Sequence, residues 1–205
     1  SAVESLSDHV LGILDKRHTR RDVYAALEIV RGAGLSLRPT FVAFTPWTTL
    51  EDYIELCELI ASHHLEHEVD PVQLAIRLLI PPGSLLLDRP ELTRFLGPEP
   101  FDEHTLTHSW THPDSRMDRL YETVAGVAEE AARVNEDPAV TFARIHEIAA
   151  TLDGRPLDEN TPGGQPHLRG AGRVAPPRLS EPWFCCAQPT RTQLGRPVGE
   201  TSCDG

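Results

Sequence analysis

Two adjacent thiols, Cys185 and Cys186, are the residues of this chain whose types and spacing most clearly permit chemistry. They follow Trp183 and Phe184 inside a stretch that is otherwise mostly polar. Neighbouring thiols can form a redox pair, a metal-thiolate site or a catalytic thiol. The alternative is a short apolar anchor that docks this stretch onto the body of the protein, and the residue types alone favour the anchor.

Four polar residues earlier in the chain are candidates for contact with a small ligand. Glu4 ends a predicted strand, where its carboxylate can accept hydrogen bonds from ribose hydroxyls or an ammonium group, or can instead stabilise the start of the next helix. Lys16 can bind a substrate carboxylate or act as a cation at a helix C-terminus. Thr40 and Arg77 lie in apolar predicted strands, where a buried polar group needs a partner. A ligand can supply that partner, and for Arg77 an internal ion pair is an equal alternative.

The ten histidines do not predict a metal site. The nearest to a cluster are His63, His64 and His67, and adjacent positions on a helix do not face each other. A second group, His104, His108 and His112, surrounds Trp110. This stretch either covers a pocket or forms a solvated loop, and the loop is favoured. Cys57, on a predicted helix, is expected in the core.

Composition limits the class of protein and its partners. The chain has 205 residues, enough for one domain with a real core. Its net charge of −12 would repel phosphate backbones, so nucleic acid is not an expected partner. No apolar run approaches the roughly 20 residues that span a bilayer, so we expect no membrane span. Four cysteines are too few for a disulfide scaffold, which favours a reducing cytoplasm.

The hydrophobic pattern of the first 84 residues predicts the order helix, helix, strand, helix, strand. Thr19 is the expected N-cap of the second helix, and Thr48 and Glu51 form the expected capping box of the third. A continuous apolar strand is typical of a parallel sheet covered by helices, which indicates an α/β fold. The predicted helices cover 7–17, 20–31 and 50–63, and the predicted strands cover 35–44 and 72–80.

The rest of the chain divides into two further parts. Residues 86–152 are predicted to be a helical extension, with amphipathic helical stripes from about Asp114 to Leu152. Residues 153–205 contain half of the glycines and prolines, a composition typical of a flexible tail. The predicted organisation is therefore 1–85, 86–152 and 153–205.

The order of motifs in the first part resembles a known family. The run begins Val3-Glu4-Ser5, Ser7-Asp8, Val10-Leu11 and Lys16-Arg17-His18-Thr19, and continues with Ala33-Gly34-Leu35, Pro39 to Thr49 and Glu51-Asp52. This order resembles the back half of a radical S-adenosylmethionine (SAM) core. There, a fourth strand ends in a GxES-x-SD-x-VL…K-x-HT run and a fifth in a G-x-P-x-x-T-x-ED run. The resemblance covers residues 1–85.

The tail is similar to one subgroup of that family. Residues 181–189, Glu-Pro-Trp-Phe-Cys-Cys-Ala-Gln-Pro, resemble the Cys-Cys-Ala-Glu-Pro or Cys-selenocysteine-Ala-Glu-Pro ending for which the subgroup is named. Gln188 replaces the glutamate, and Cys186 occupies the place of selenocysteine. The resemblance therefore implies that Cys185 and Cys186 are catalytic candidates.

The resemblance implies the back half of a partial (β/α)6 barrel that binds SAM next to a 4Fe-4S cluster. In a complete protein, reductive cleavage of SAM yields a 5'-deoxyadenosyl radical. By position, Glu4 and Thr40 would face the ribose or amino acid part of SAM, and Ser5 would be a further cofactor-binding residue. The others would be placed as follows: Lys16 near the carboxylate, Val42 beside the adenine and Arg77 near the pocket on the sixth strand.

The CxxxCxxC motif that ligates the cluster is absent from this sequence. With no initiator methionine and an abrupt first strand, we expect a missing N-terminal half or a separately encoded subunit to supply it. The chain alone is expected to be inactive. The implied substrate is a small molecule or peptide, and a cobalamin domain is permitted. The alternative function is a non-catalytic barrel remnant that binds a metal or a partner protein through its Cys185-Cys186 tail.

Overall fold

The computed structural model describes residues 1–103, 105–155 and 157. Within them the chain forms six α-helices and four short β-strands. The helices are α1 (Asp8–Ile13), α2 (Arg20–Gly32), α3 (Leu50–Ser62), α4 (Pro90–Thr93), α5 (Ser115–Val134) and α6 (Pro138–Leu152). The strands are β1 (Ala2–Glu4), β2 (Thr40–Phe41), β3 (Leu96–Asp102) and β4 (Thr107–Trp110). Two 3-10 helices cover Pro71–Ala75 and Leu85–Asp88.

Three extended segments lie side by side and parallel, in the order of the chain. β1 pairs with β2, and the N–H of Val42 donates to the carbonyl of Glu4 over 2.9 Å. A parallel bridge then joins Phe44 to Arg77, where the N–H of Leu78 donates to the Phe44 carbonyl over 2.8 Å. The predicted mixed α/β class is therefore confirmed. Among the described residues, the small sheets do not close into a barrel.

An antiparallel hairpin, β3–β4, extends this arrangement beyond the third segment. The N–H of His108 donates to the Ile80 carbonyl over 2.8 Å, and the Trp110 indole N–H donates to Leu78 over 2.9 Å. The expectation of a solvated loop around Trp110 was wrong. These bonds pair β4 with the third parallel segment, the one that contains Arg77, Leu78 and Ile80. The part 86–152 contains this hairpin as well as helices.

Both predicted strands begin later than expected. The strand predicted over 35–44 pairs only from Thr40, and Leu35 is left 67 % exposed after the left-handed turn at Gly34. The strand predicted over 72–80 begins with a 3-10 helix. Asp70 Oδ1 accepts the Val72 N–H over 3.4 Å at the start of that helix. Local capping therefore outweighs the apolar run there.

The helix starts follow local capping chemistry. Thr19 and Asp22 form a capping box at α2, as the predicted N-cap at Thr19 requires. At α3 the box is formed by Thr49 and Asp52, one residue later than predicted: Thr49 Oγ1 accepts the Asp52 N–H over 3.1 Å, and Asp52 Oδ2 accepts the Thr49 N–H over 2.8 Å.

A single apolar cluster joins the described elements, from Val3 on β1 to Ala149 on α6. α3 lies at its centre, with Tyr53 fully buried and its hydroxyl donating to the Leu74 carbonyl over 2.9 Å. Cys57 is buried, as predicted. No helix within the described ranges combines the length and apolar character that crossing a bilayer requires.

Candidate functional site

Glu4 and Lys16, two separate candidates for ligand contact in the sequence, lie together at the carboxyl end of β1. Lys16 Nζ lies 2.9 Å from Glu4 Oε1. Lys16 reaches this position because the chain turns back after α1, where the Lys16 N–H donates to the Leu11 carbonyl over 3.1 Å. The side chains of Glu4 and Lys16 are 15 % and 34 % exposed. The pair is therefore shielded on one side and open to solvent on the other.

The backbone around this pair is unusual. Glu4, Asp15 and Arg17 adopt the left-handed conformation, with φ values of 69°, 51° and 57°. Residues other than glycine rarely adopt positive φ, and such conformations persist where the surrounding structure holds them. These three positions flank the contact between Glu4 and Lys16. Three of the six residues other than glycine that have positive φ within the described ranges are therefore found at this contact.

His18 joins the two sides of the site. Its Nδ1 lies 3.1 Å from the carbonyl oxygen of Lys16, and its Nε2 lies 3.1 Å from the carbonyl oxygen of Val3. The sequence pattern contained His18 in the Lys16–Thr19 run but assigned it no role. Because its two partners are 15 and 2 residues away along the chain, sequence spacing alone did not indicate this contact.

Ser5 and Val42 lie beside Glu4. Ser5 follows it in a local turn, and Val42 contacts it through a backbone hydrogen bond. The Ser5 hydroxyl oxygen accepts the Ser7 N–H over 3.1 Å, which shapes the entry into α1. Ser5 is buried, and its hydroxyl stabilises the turn between β1 and α1. Val42 is buried opposite the Glu4 carbonyl, with its side chain in the core cluster.

Thr40 lies at the other end of the pairing between β1 and β2. Its hydroxyl donates to the Ser1 carbonyl over 3.2 Å, and its N–H donates to the same oxygen over 2.8 Å. The register places Thr40 opposite Ala2, whereas Glu4 is opposite Phe41. The structure therefore places the Thr40 hydroxyl at the amino end of β1, not beside the Glu4 carboxylate.

Arg77 has the internal ion pair that was one of its two predicted partners. Its Nη1 donates to Asp118 Oδ1 over 2.8 Å, and its Nη2 donates to the Trp110 carbonyl over 2.8 Å. The guanidinium lies 3.7 Å from the centroid of the Trp110 ring and 5.1 Å from that of Tyr121. These contacts fasten the third parallel segment to β4 and α5, which is a structural role.

A compact polar turn follows the second parallel segment. The Thr45 and Thr48 hydroxyls lie 2.8 Å apart, and both residues are buried. His112 Nε2 lies 2.9 Å from the Thr48 carbonyl, while His112 Nδ1 accepts the Asp114 N–H over 3.0 Å. His112 was predicted in a solvated loop, but it is buried and joins this turn to the start of α5.

Cys57 is the one cysteine within the described ranges. Burial raises the pKa of the Cys57 thiol, with a smaller contribution from the charge of Glu58. A buried thiol with a raised pKa is a poor nucleophile and metal ligand. Cys185 and Cys186 lie outside the described residues. Within the described ranges, no group of three His, Cys, Asp or Glu side chains could hold a metal ion.

An open cavity of about 530 Å³ lies where α4 meets the hairpin. The Arg94 guanidinium is 4.7 Å from the Phe95 ring centroid. The residues that line the cavity do not include those around Glu4, so the cavity is a separate feature of the surface. The lining residues are Arg94, Phe95, Leu96, Gly97, Thr111 and Pro113.

Comparison of the chain with protein-family profiles, with curated proteins and with solved structures found no significant match.

Proposed function

We propose that this chain is the back portion of a radical SAM enzyme and that it binds the amino acid part of SAM at the Glu4–Lys16 pair. The observation that carries the proposal is the position of this pair. It lies at the carboxyl end of the first of three parallel segments that run side by side in chain order. In parallel α/β sheets, that edge is where ligands bind.

The chemistry of the pair matches a zwitterion. The amino acid group of SAM has one ammonium and one carboxylate on the same carbon, and the site offers one carboxylate and one ammonium 2.9 Å apart. A ligand can exchange the internal ion pair for two charge-assisted contacts. Because both side chains are partly exposed, opening the internal pair costs little free energy.

The residues of the described ranges do not fit a 4Fe-4S cluster. Cluster ligation uses several thiolates, whereas Cys57 is the one cysteine within those ranges and is buried in the core. The sequence lacks the CxxxCxxC motif. The proposal therefore assigns the cluster to a separate N-terminal half or subunit, and assigns to this chain only the binding and orientation of SAM.

Two parts of the proposal concern residues and partners outside the described ranges. Cys185 and Cys186 are proposed as catalytic thiols of the complete enzyme, on the basis of the tail resemblance. The substrate is proposed to be a small molecule or peptide, with a cobalamin domain as a permitted further component. The alternative, a remnant that binds a metal or partner through the same tail, also depends on these two cysteines.

Isothermal titration calorimetry of the 205-residue chain with SAM tests the proposal, with free methionine as the probe for the zwitterion alone. We expect Glu4→Gln and Lys16→Met each to weaken SAM binding at least about tenfold, or about 1.4 kcal/mol. Glu51→Gln, an exposed carboxylate on α3, is the matched control and should bind like the parent chain. No binding by the chain, or equal binding by all variants, would overturn the proposal.

A further inference from the structure

We infer that His18, in its doubly protonated form, is the residue that positions the Glu4–Lys16 pair. It does so by donating one hydrogen bond to the Lys16 carbonyl and one to the Val3 carbonyl, each over 3.1 Å. The role of this pair as a ligand site rests on the proposed function. The link that His18 makes between the two carbonyls, which we call the His18 tether, rests on the two contacts alone.

The chemistry of the two partners sets the protonation state. A backbone carbonyl oxygen only accepts hydrogen bonds, and a neutral imidazole has only one N–H donor. With a neutral ring, one nitrogen lone pair of His18 would therefore face a carbonyl oxygen. Only the imidazolium, with a proton on both nitrogens, satisfies the two contacts together.

The two carbonyls are well placed to control the site. The Lys16 carbonyl belongs to the residue whose ammonium contacts Glu4, and the Val3 carbonyl belongs to the peptide unit that leads into Glu4. Asp15 and Arg17, on either side of Lys16, have positive φ, as does Glu4 itself. A turn in this conformation needs external contacts to persist. The His18 tether supplies two of them.

Charged residues on β1, α1 and α2 contact the residues that precede and follow His18 in the chain. Glu4 at the end of β1 neutralises the Lys16 ammonium of the turn. Asp22 faces His18 from α2, and the pKa of Asp22 is lowered chiefly by its hydrogen bonds with Thr19 and further by the charge of His18.

On α1, Asp8 accepts the Arg20 N–H over 2.7 Å and so is held at the start of α2. Next to His18, the Lys16 ammonium is paired with Glu4, and Asp22 accepts the Thr19 N–H over 2.8 Å.

The inference predicts that the turn is released as the His18 ring loses its second proton. Nuclear magnetic resonance of the full chain, labelled with 15N, tests this between about pH 5 and 8, where histidines change charge. We expect two ring N–H signals from His18 at the acidic end and the loss of one on raising the pH. The Ser5 amide shares the Val3 carbonyl and should shift in the same transition, together with the Lys16 amide.

Three variants separate the tether from general structural effects. His18→Arg keeps two donors at every pH, so the Ser5 and Lys16 amides should stay at their acidic positions. His18→Gln lacks the charge and should hold both amides at their alkaline positions. His9→Gln, an exposed position on α1, should behave like the parent chain.

Two results would overturn the inference: a single ring N–H on His18 at the acidic end, or amides of Ser5 and Lys16 that do not follow its titration. The parent chain and His18→Arg decide the matter even if His18→Gln does not fold. This readout contains no SAM. A chain that shows the transition but fails to bind SAM would therefore overturn the proposed function alone.

Discussion

Lys16 and Glu4 form an ion pair of 2.9 Å between the turn after α1 and the end of β1, 12 residues apart in the chain. The pair closes a loop that contains the whole of α1. Each residue alone has a plausible local role at a helix end. Their contact shows instead that α1 folds back onto the strand that precedes it, which places opposite charges together at the edge of the parallel segments.

The first prediction concerns the strength of this pair. A double-mutant cycle with Glu4→Gln and Lys16→Met, measured by urea unfolding, should give a coupling of about 0.5 kcal/mol. The value is small because the Lys16 side chain is 34 % exposed and solvent screens the charges. Added salt should reduce the coupling further. A coupling above about 3 kcal/mol would indicate a fully desolvated pair and contradict the structure.

The second prediction concerns Arg77. Arg77→Met should lower the free energy of unfolding by about 3 kcal/mol, because Asp118 Oδ1 and the Trp110 carbonyl lose the guanidinium donors of Arg77. Arg77→Lys should cost less, since the charge remains while the planar stacking on Trp110 is lost. Urea unfolding of the full chain measures both changes.

Arg119→Met is the matched control for Arg77, because Arg119 is an exposed arginine on α5. Its effect should stay within about 0.5 kcal/mol of the parent chain. If Arg77→Met proved as mild as this control, the guanidinium would not be the structural link that its contacts indicate.

Local chemistry explains which parts of the fold were predictable. The N-cap at Thr19 depends on residues within one helical turn, and the sequence predicted it correctly. The capping box of α3 was misplaced by one residue, because Thr48 and Thr49 are both acceptable N-caps and only the observed bonds to Asp52 distinguish them. Where two neighbouring residues can both serve as the N-cap, the sequence therefore predicts the start of a helix only to within one residue.

Long-range pairing explains the failures. The hairpin of β3 and β4 was missed because β3 contains Gly97, Pro98 and Pro100, which weaken any strand pattern. Its place in the fold is fixed by bonds from His108 to Ile80, 28 residues away. The candidate site shows the same limit: the types of Glu4 and Lys16 were informative, but their contact depends on the path of α1.

The third prediction concerns the reactivity of Cys57. In a chain carrying Cys185→Ser, Cys186→Ser and Cys203→Ser, the remaining thiol should react with iodoacetamide at least about 1000-fold more slowly when folded than in urea. The reason is that a core thiol with a raised pKa reacts through unfolding, which costs at least about 5 kcal/mol in a typical domain. Mass spectrometry of timed samples gives both rates. Equal rates in the two conditions would show that α3 does not bury this residue.

The last prediction concerns acid stability and His146. This residue on α6 is 1 % exposed, and its Nδ1 has no hydrogen-bond partner among the described residues. Burial lowers the pKa of His146 from 6.5 to about 4. The folded protein therefore holds a neutral ring at a pH where the unfolded chain binds a proton.

The sign of the pH effect follows from proton binding. Between pH 6.5 and about 4 the unfolded state binds more protons at His146 than the folded state does, so stability falls as the pH falls through this window. His146→Leu should flatten that part of the profile, because the leucine side chain cannot bind a proton. It should change the free energy of unfolding less near pH 8 than in the acidic window. The exposed His9→Gln is the control and should keep the parent slope. Unfolding free energies measured in urea at several pH values between 4 and 8 give the two slopes, and a slope that survives in His146→Leu would assign the acid sensitivity to other groups.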